Sequence, residues 1–210
     1  MEESFREKIL AGDRDGVKVL TEEALQRNVP VEQIIHKYLM PAMDEVGRCF
    51  EAGDLFISEM LMSARAMQAG MAVLKPLIVG AKIKTLGCVV IGTVQGDLHD
   101  IGKALVAMML EGAGFEVHDL GVDVKPEKFV EAVRNLQANV VGMSALLSTT
   151  MPNVKITIEA LKTAGLREGL IVMVGGAPFT ADYAASIGAD GYAEDAASAV
   201  RRVKELIVRR

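Results

Sequence analysis

The stretch that decides the fold is Leu86-Gly87-Cys88-Val89-Val90-Ile91-Gly92-Thr93-Val94-Gln95-Gly96-Asp97-Leu98-His99-Asp100-Ile101-Gly102-Lys103. Its first half is a short apolar run rich in β-branched residues. Its second half is a polar loop punctuated by Gly96 and Gly102, and an apolar pattern at helical spacing follows. A strand that reads as a nearly continuous apolar run belongs to a sheet covered on both faces. A strand that feeds a helix opens a βαβ unit. The pattern recurs down the chain. It predicts strands at Leu86–Thr93, Phe115–Asp119, Asn139–Met143, Leu170–Val174 and Asp190–Ala193, and helices over about 101–113, 126–137, 153–164, 180–187 and 195–208. The expected fold is α/β, with a five-stranded parallel sheet in the flavodoxin-like order 2-1-3-4-5. Right-handed crossovers then place a cleft at the carboxyl ends of strands 1 and 3, where the winding reverses.

Upstream of residue 84 the texture changes to helix signals with little that reads as strand. Helices are expected over 2–11, ended by Gly12, and over 14–27, capped by Asp13. A further segment runs from Pro30 to about Lys37, and Pro41 should break or kink it because proline lacks an N–H and clashes with the preceding turn. The next helix runs to about Glu51 and stops at Gly53. Ser58 is a candidate cap for a long helix towards Leu74, where Ile57, Met60, Leu61, Ala64, Met67, Met71 and Leu74 recur at steps of three or four and predict one apolar face. The expected domains are a helical bundle over 1–82 and an α/β domain over 85–210, with the linker at 76–85.

Composition narrows the function. Hydrophobic residues make up 50% and charged residues 24%, which is the balance of an ordinary globular chain. With 23 Lys+Arg against 28 Asp+Glu the net charge is −5, opposite in sign to the basic excess of a general nucleic-acid binder. No apolar run approaches the roughly 20 residues of a membrane helix, and the charged first 30 residues do not read as a signal peptide. The two cysteines, Cys49 and Cys88, form no CxxC signature; they read as small buried residues in a reducing, cytoplasmic setting. His36, His99 and His118 fall at no zinc-ligand spacing, and His36 and His118 read as structural or solvated. The cluster Arg201, Arg202, Arg209 and Arg210 reads as the solvated end of the last helix, where cations suit the macrodipole.

The cleft loops carry the chemistry. After strand 1, His99 lies between carboxylates at Asp97 and Asp100. A neutral imidazole is the commonest protein ligand for a transition metal, and a metal-bound His usually gives its other N–H to a carboxylate, as Asp97 could accept. One imidazole is no metal site alone, but it is an adequate axial ligand for a metal already held in a macrocycle. Asp100, just before the helix, suits a cap. After strand 3, Ser144-Ala145-Leu146-Leu147-Ser148-Thr149-Thr150-Met151 sets hydroxyls and apolar residues across the cleft; Thr150 suits a helix cap ahead of Pro152. After strand 4, Gly175-Gly176 lets a ligand lie against the backbone.

Asp97-x-His99-x-x-Gly102, Ser144-x-Leu146 and Gly175-Gly176, in that order, resemble the three-part signature of the cobalamin-binding domain. Pro41-Ala42-Met43, Val46-Gly47, Phe50, Gly53-Asp54 and Ser58-Glu59 resemble the helical cap that precedes this domain in methionine synthase. The runs from Gly96 to Lys103 and from Asp119 to Val124 are similar to the stand-alone corrinoid proteins of anaerobic methyltransferase systems. The resemblance covers about residues 1–208 and implies cobalamin or a related cobamide as cofactor. It implies that His99 replaces the cofactor's lower base on cobalt and that Asp97 bonds His99, with Thr150 continuing a proton relay. Ser144 would bond the buried lower base, Leu146 would pack the nucleotide tail, and Gly175 and Gly176 would line its slot. Gly96, Asp100, Ile101, Gly102 and Ser148 complete the implied cofactor contacts. The helical half would cover the upper corrin face, with Met60 and Met67 as candidates for that contact. The implied function is to carry a methyl group between a substrate-specific methyltransferase and a second methyltransferase acting on a pterin or thiol, with a reductive activase as a further partner and no nucleic acid or membrane. The chain would be a component of a methyltransferase rather than a complete enzyme. A corrinoid-dependent regulator would carry a DNA-binding module for which this sequence has no room. The small subunit of an adenosylcobalamin mutase usually brings other flanking segments.

Overall fold

The computed structural model describes residues 1–78 and 85–209. Residues 79–84 of the expected linker, and Arg210, lie outside the described residues. The chain divides into two compact units, Met1–Leu86 with Met108–Gly114, and Gly87–Ala107 with Phe115–Arg210.

The first unit holds α1 (Glu2–Leu10), α2 (Arg14–Gln26), α3 (Val31–Gln33), a π-helical segment Ile34–Leu39, α4 (Met40–Glu51) and α5 (Ile57–Ile78). Asp13 caps α2 as expected, its Oδ1 accepting the Gly16 N–H at 2.8 Å. Pro41 does not break the chain's course. Helical backbone runs on from Val31 to Glu51, and the turn widens just before the proline: the Met40 N–H donates to the Ile35 carbonyl, five residues back. A local π register is one of the few ways a helix absorbs a residue that cannot join the usual ladder. Ser58 does not cap α5 either. The helix starts one residue earlier, and the Glu59 carboxylate accepts the Phe56 N–H at 2.8 Å, the reach-back half of a capping box. Along α5, Met60, Ala64, Met67 and Leu74 are buried as the spacing predicts, but so are Ser63, Ala66 and Gly70, while Ile57 is exposed. The buried face is broader than a single stripe because α5 packs against α1, α2 and α4. Gly70 allows one of these approaches, since a Cβ there would stand 3.0 Å from Val17 and 3.3 Å from Leu39.

The second unit has strands β1 (Cys88–Thr93), β2 (Glu116–Asp119), β3 (Val140–Ser144), β4 (Ile171–Gly175) and β5 (Gly191–Ala193), all parallel, in the order β2-β1-β3-β4-β5. Helices α6 (Ile101–Gly112), whose last turns belong to the first unit, α7 (Pro126–Leu136), α8 (Pro152–Thr163), α9 (Ala181–Ser186) and α10 (Ala196–Val208) alternate with them along the chain. Strand residues point to alternate faces, which yields two buried layers. One joins Val90, Val141, Met143, Val172 and Val174 to Phe129 and Val133 of α7, Ile158 and Leu161 of α8, and Ile187 just after α9. The other holds Val89, Ile91, Val140, Ile171 and Met173. Burial on both faces is why these strands carry no polar alternation in sequence. No helix among the described residues is long and apolar enough to cross a membrane.

Phe129 is fully buried, and its ring lies over β1, where a Cβ at Gly92 would come within 2.8 Å of it. Phe129→Ala should therefore open a cavity against the strand that leads to His99 and destabilise the α/β unit by about 3–5 kcal/mol. The check is a lower urea midpoint with an unchanged slope.

Candidate functional site

Strands β1, β3, β4 and β5 end on one row, with Thr93, Ser144, Gly175 and Ala193 in register. The loops after β1, β3 and β4 leave from that row at the point where the winding reverses. The structure thus brings the three sequence motifs to one edge of the sheet.

Asp97 is the hub. It is fully buried, and its carboxylate accepts from both loops. Oδ1 takes the His99 N–H at 3.1 Å and pairs with His99 Nδ1 at 2.7 Å. Oδ2 takes the Leu146 N–H at 2.8 Å, the Leu147 N–H at 3.3 Å and the Thr150 hydroxyl at 2.6 Å. Burial alone would raise its pKa, but the hydrogen bonds from Thr150, the His99 N–H and ring, and Leu146 outweigh burial and hold the carboxyl well below the usual carboxylate range. An ionised acceptor at Nδ1 means that Nδ1 carries the proton, which leaves Nε2 with its lone pair in the neutral ring. The His99 side chain is 51% exposed, so Nε2 is open to a ligand.

Thr150 is buried, and its hydroxyl also lies 2.9 Å from the Leu147 carbonyl. Its side chain engages Asp97, and α8 starts without a side-chain cap. Leu146, Ser148, Asp100 and Ile101 are exposed, and Ser144 is half-buried. The Asp100 carbonyl accepts the Ala104 N–H at 2.7 Å and so opens α6. Gly96 turns the first loop at φ +82. At Gly176 φ is +129, and a Cβ would stand only 1.9 Å from the Ala145 carbonyl oxygen. The need for glycine there begins with the protein's own backbone. Gly175 is tight against the Ala193 carbonyl at 3.1 Å.

Several supports had no role in the sequence reading. The Thr93 hydroxyl donates to the His99 carbonyl at 2.8 Å, and Asn153 Nδ2 donates to the Gln95 carbonyl at 2.7 Å. Asp123 accepts the Gly96 N–H at 2.7 Å while its own N–H donates to the Asp97 carbonyl at 3.0 Å. Buried Lys103 reaches Asp119 and, at 3.2 Å, the Gly121 carbonyl. A lysine in the first turn of a helix reads as solvated, so only the fold reveals it. The Asp119–Val124 run carried a signal, because its Asp and Gly residues mark a turn, but not its contacts.

Comparison with known proteins follows this geometry. Residues 87–201 match the B12 binding domain, and residues 1–75 match a second model of the same description. The chain belongs to the B12-binding domain family. It is 47% identical over 207 residues to dimethylamine corrinoid protein 1 of Methanosarcina mazei, covering 98% of this chain and 95% of that one. Among solved structures it is similar to the methanol:cobalamin methyltransferase complex of Methanosarcina barkeri, with TM-score 0.88 and 31% identity over 99% of this chain and 79% of that one. It is also similar to a cobalamin-binding protein of Desulfitobacterium hafniense, with TM-score 0.80 and 30% identity over 98% of each chain. The cofactor of this B12-binding chain is a cobalamin-type corrinoid, and the chain is a corrinoid protein of the methyltransferase-system kind.

The residues present fit that group. His99 offers ring nitrogen Nε2 on an imidazole oriented through Nδ1 by Asp97. Nothing lies within 4 Å of a Cβ built on Gly102, so no neighbour within the protein requires glycine in the first turn of α6, and the space remains for a ligand against the backbone. Leu98 and Ile101, 72% and 83% exposed, offer uncovered apolar surface on the same loop and helix start.

Two predictions follow from this geometry. Asp97→Asn keeps the shape but sets an amide N–H₂ against hydrogen-bond donors. It should cost about 2–3 kcal/mol at neutral pH, because hydrogen bonds to a buried charge are lost. Asp97 has a lowered folded-state pKa, so its contribution is fully present above the unfolded value of about 4 and is lost as the pH falls through the folded value. Urea midpoints from pH 7 downward should therefore show wild type and variant apart at neutral pH and converging only in acid below about pH 4. The second prediction separates two glycines. Gly176→Ala should lower the stability of the apoprotein by about 3 kcal/mol or more, through backbone strain and overpacking. Gly102→Ala should leave the apoprotein as stable or gain up to about 1 kcal/mol, yet weaken corrinoid retention.

Proposed function

We propose that this protein carries a methyl group on its corrinoid between two methyltransferases, one specific for a methylated amine and a second acting on a pterin or thiol. The observation that carries this reading is the His99 imidazole, fixed through Nδ1 by a buried, ionised Asp97 and free at Nε2, at the carboxyl edge of the sheet. The likeness over nearly the full chain to a dimethylamine corrinoid protein supports a methylated amine as the source of the methyl group. The bound corrinoid supplies a cobalt centre able to take up and give up a methyl group.

The chain's own residues do the rest. His99 Nε2 would hold the corrinoid's cobalt, in place of the cofactor's own lower base. Asp97 holds the Nδ1 proton and so keeps the ring in the tautomer that leaves Nε2 to coordinate. Thr150, on the second oxygen of Asp97, is the next station for a proton leaving the pair. Ser144 and Leu146 would contact the cofactor's lower base and nucleotide tail, and Gly175 and Gly176 would line the slot for it. Gly96, Asp100, Ile101, Gly102 and Ser148 complete the contacts. A reductive activase completes the set of partners. The two free cysteines, Cys49 and Cys88, suit a reducing, cytoplasmic location.

Corrinoid-loaded protein mixed with dimethylamine and a dimethylamine-specific methyltransferase should be methylated, while methanol with its own methyltransferase should give no transfer. His99→Ala should keep most of its corrinoid but lose the nitrogen hyperfine splitting that a protein imidazole gives the Co(II) state in electron paramagnetic resonance. Unchanged splitting in the variant would remove His99 as the ligand, and absence of methylation by any amine would remove the substrate assignment.

A further inference from the structure

At the amino end of the sheet, opposite the corrinoid site, Cys88, Glu116 and His118 come together. Cys88 opens β1 and pairs directly with Glu116 of β2. Glu116 and His118 are two residues apart on that strand and so share a face. One ligand atom from each, a thiol sulfur, a carboxylate oxygen and a ring nitrogen, all lie within 4.8 Å of one another. His118 Nε2 and Glu116 Oε1 already stand 2.9 Å apart. The start of β1 is fixed there, because the Cys88 N–H donates to the Asn139 side chain at 2.9 Å.

The geometry points to a divalent transition-metal site of the zinc class, with Cys88, Glu116 and His118 as its three protein ligands. Thiolate, imidazole and carboxylate together select zinc-like ions over magnesium or calcium, which take oxygen alone. With metal–ligand bonds of about 2.0–2.3 Å, atoms on a tetrahedral ion stand roughly 3.5 Å apart. The three ligand atoms, all within 4.8 Å of one another, stand at most about an ångström wider than that. β2 is the edge of the sheet, and Glu116 is more than half exposed. The ion therefore has an entry path and a fourth position open to water, as in three-ligand zinc sites. No stage of the corrinoid chemistry uses these residues. Binding expels the thiol proton to solvent and replaces the His118–Glu116 contact by two bonds to the ion, tying the edge strand to the start of β1.

The test uses the full, tag-free, corrinoid-loaded chain with Zn²⁺ alone. After chelator treatment and readdition, wild type should hold one equivalent against a competing chromogenic chelator. Cys88→Ser and His118→Ala should each weaken binding at least tenfold, and Glu116→Gln less. Alkylation supplies a readout independent of these variants' folding: in wild type, Zn²⁺ should slow modification of Cys88 at least tenfold and leave Cys49 unchanged, read by peptide mass spectrometry. Equal protection of both cysteines, or of neither, overturns the site. So does one equivalent of Zn²⁺ that survives in Cys88→Ser with unchanged affinity.

Discussion

The functional half of this molecule depends on a single buried charge. Asp97 sits fully out of solvent, where an unpaired carboxylate would be far too costly to keep ionised. It stays ionised because five donors converge on it from two loops. Charge-assisted bonds of this kind contribute about 1.5–3 kcal/mol each when both partners are in place. Losing the carboxylate leaves several donors unmet at once. One side chain thereby ties the β1 loop to the β3 loop across the point where the sheet reverses its winding. Oδ1 orients the His99 ring while Oδ2 is held by Leu146, Leu147 and Thr150.

The second layer of support comes from β2. Lys103, buried at the start of α6, is neutralised by Asp119 and also bonds the Gly121 carbonyl. Gly121 in turn accepts the Thr93 N–H at 3.0 Å, and Val124 donates to the Thr93 carbonyl at 3.0 Å. Thr93 reaches forward through its hydroxyl to the His99 carbonyl. The His99 backbone is thus held from the β2 side and its ring from the β3 side. A ligand nitrogen needs both, because a ring positioned by one torsion alone would sweep through many orientations.

Local texture carried the strands, the alternating helices and the sheet order, because burial on both faces leaves an unbroken apolar run and because crossovers have one hand. The glycines and polar residues of the cleft loops were legible for the same reason: a loop of that length and polarity is not a minimal turn. What stayed hidden depended on distance in sequence. Nothing around Lys103 announces a buried ion pair with Asp119, and nothing around Cys88 announces His118, because those contacts arise only when β1 and β2 pair. The misreadings in the helical half are of another kind. Proline statistics predict a break at Pro41, but a wider turn ahead of it serves as well. A serine at a helix start competes with Glu59 one residue on, and the carboxylate takes the contact.

Gly176 shows how a motif residue acts on a site that it does not touch. A side chain there would strike the Ala145 carbonyl, and Ala145 is the residue before Leu146. Ala145 is also pinned through its N–H to the Gly175 carbonyl at 3.2 Å. Pushing that peptide aside would move the Leu146 and Leu147 N–H groups off Asp97, weaken the grip on the carboxylate and release the His99 ring. Gly176, just past the end of β4, is therefore coupled to the imidazole on the β1 loop, two strands away in the sheet, through one peptide and one carboxylate. One missing side chain thus keeps the β3 loop in place and, through that loop, the grip on Asp97 and the setting of the imidazole.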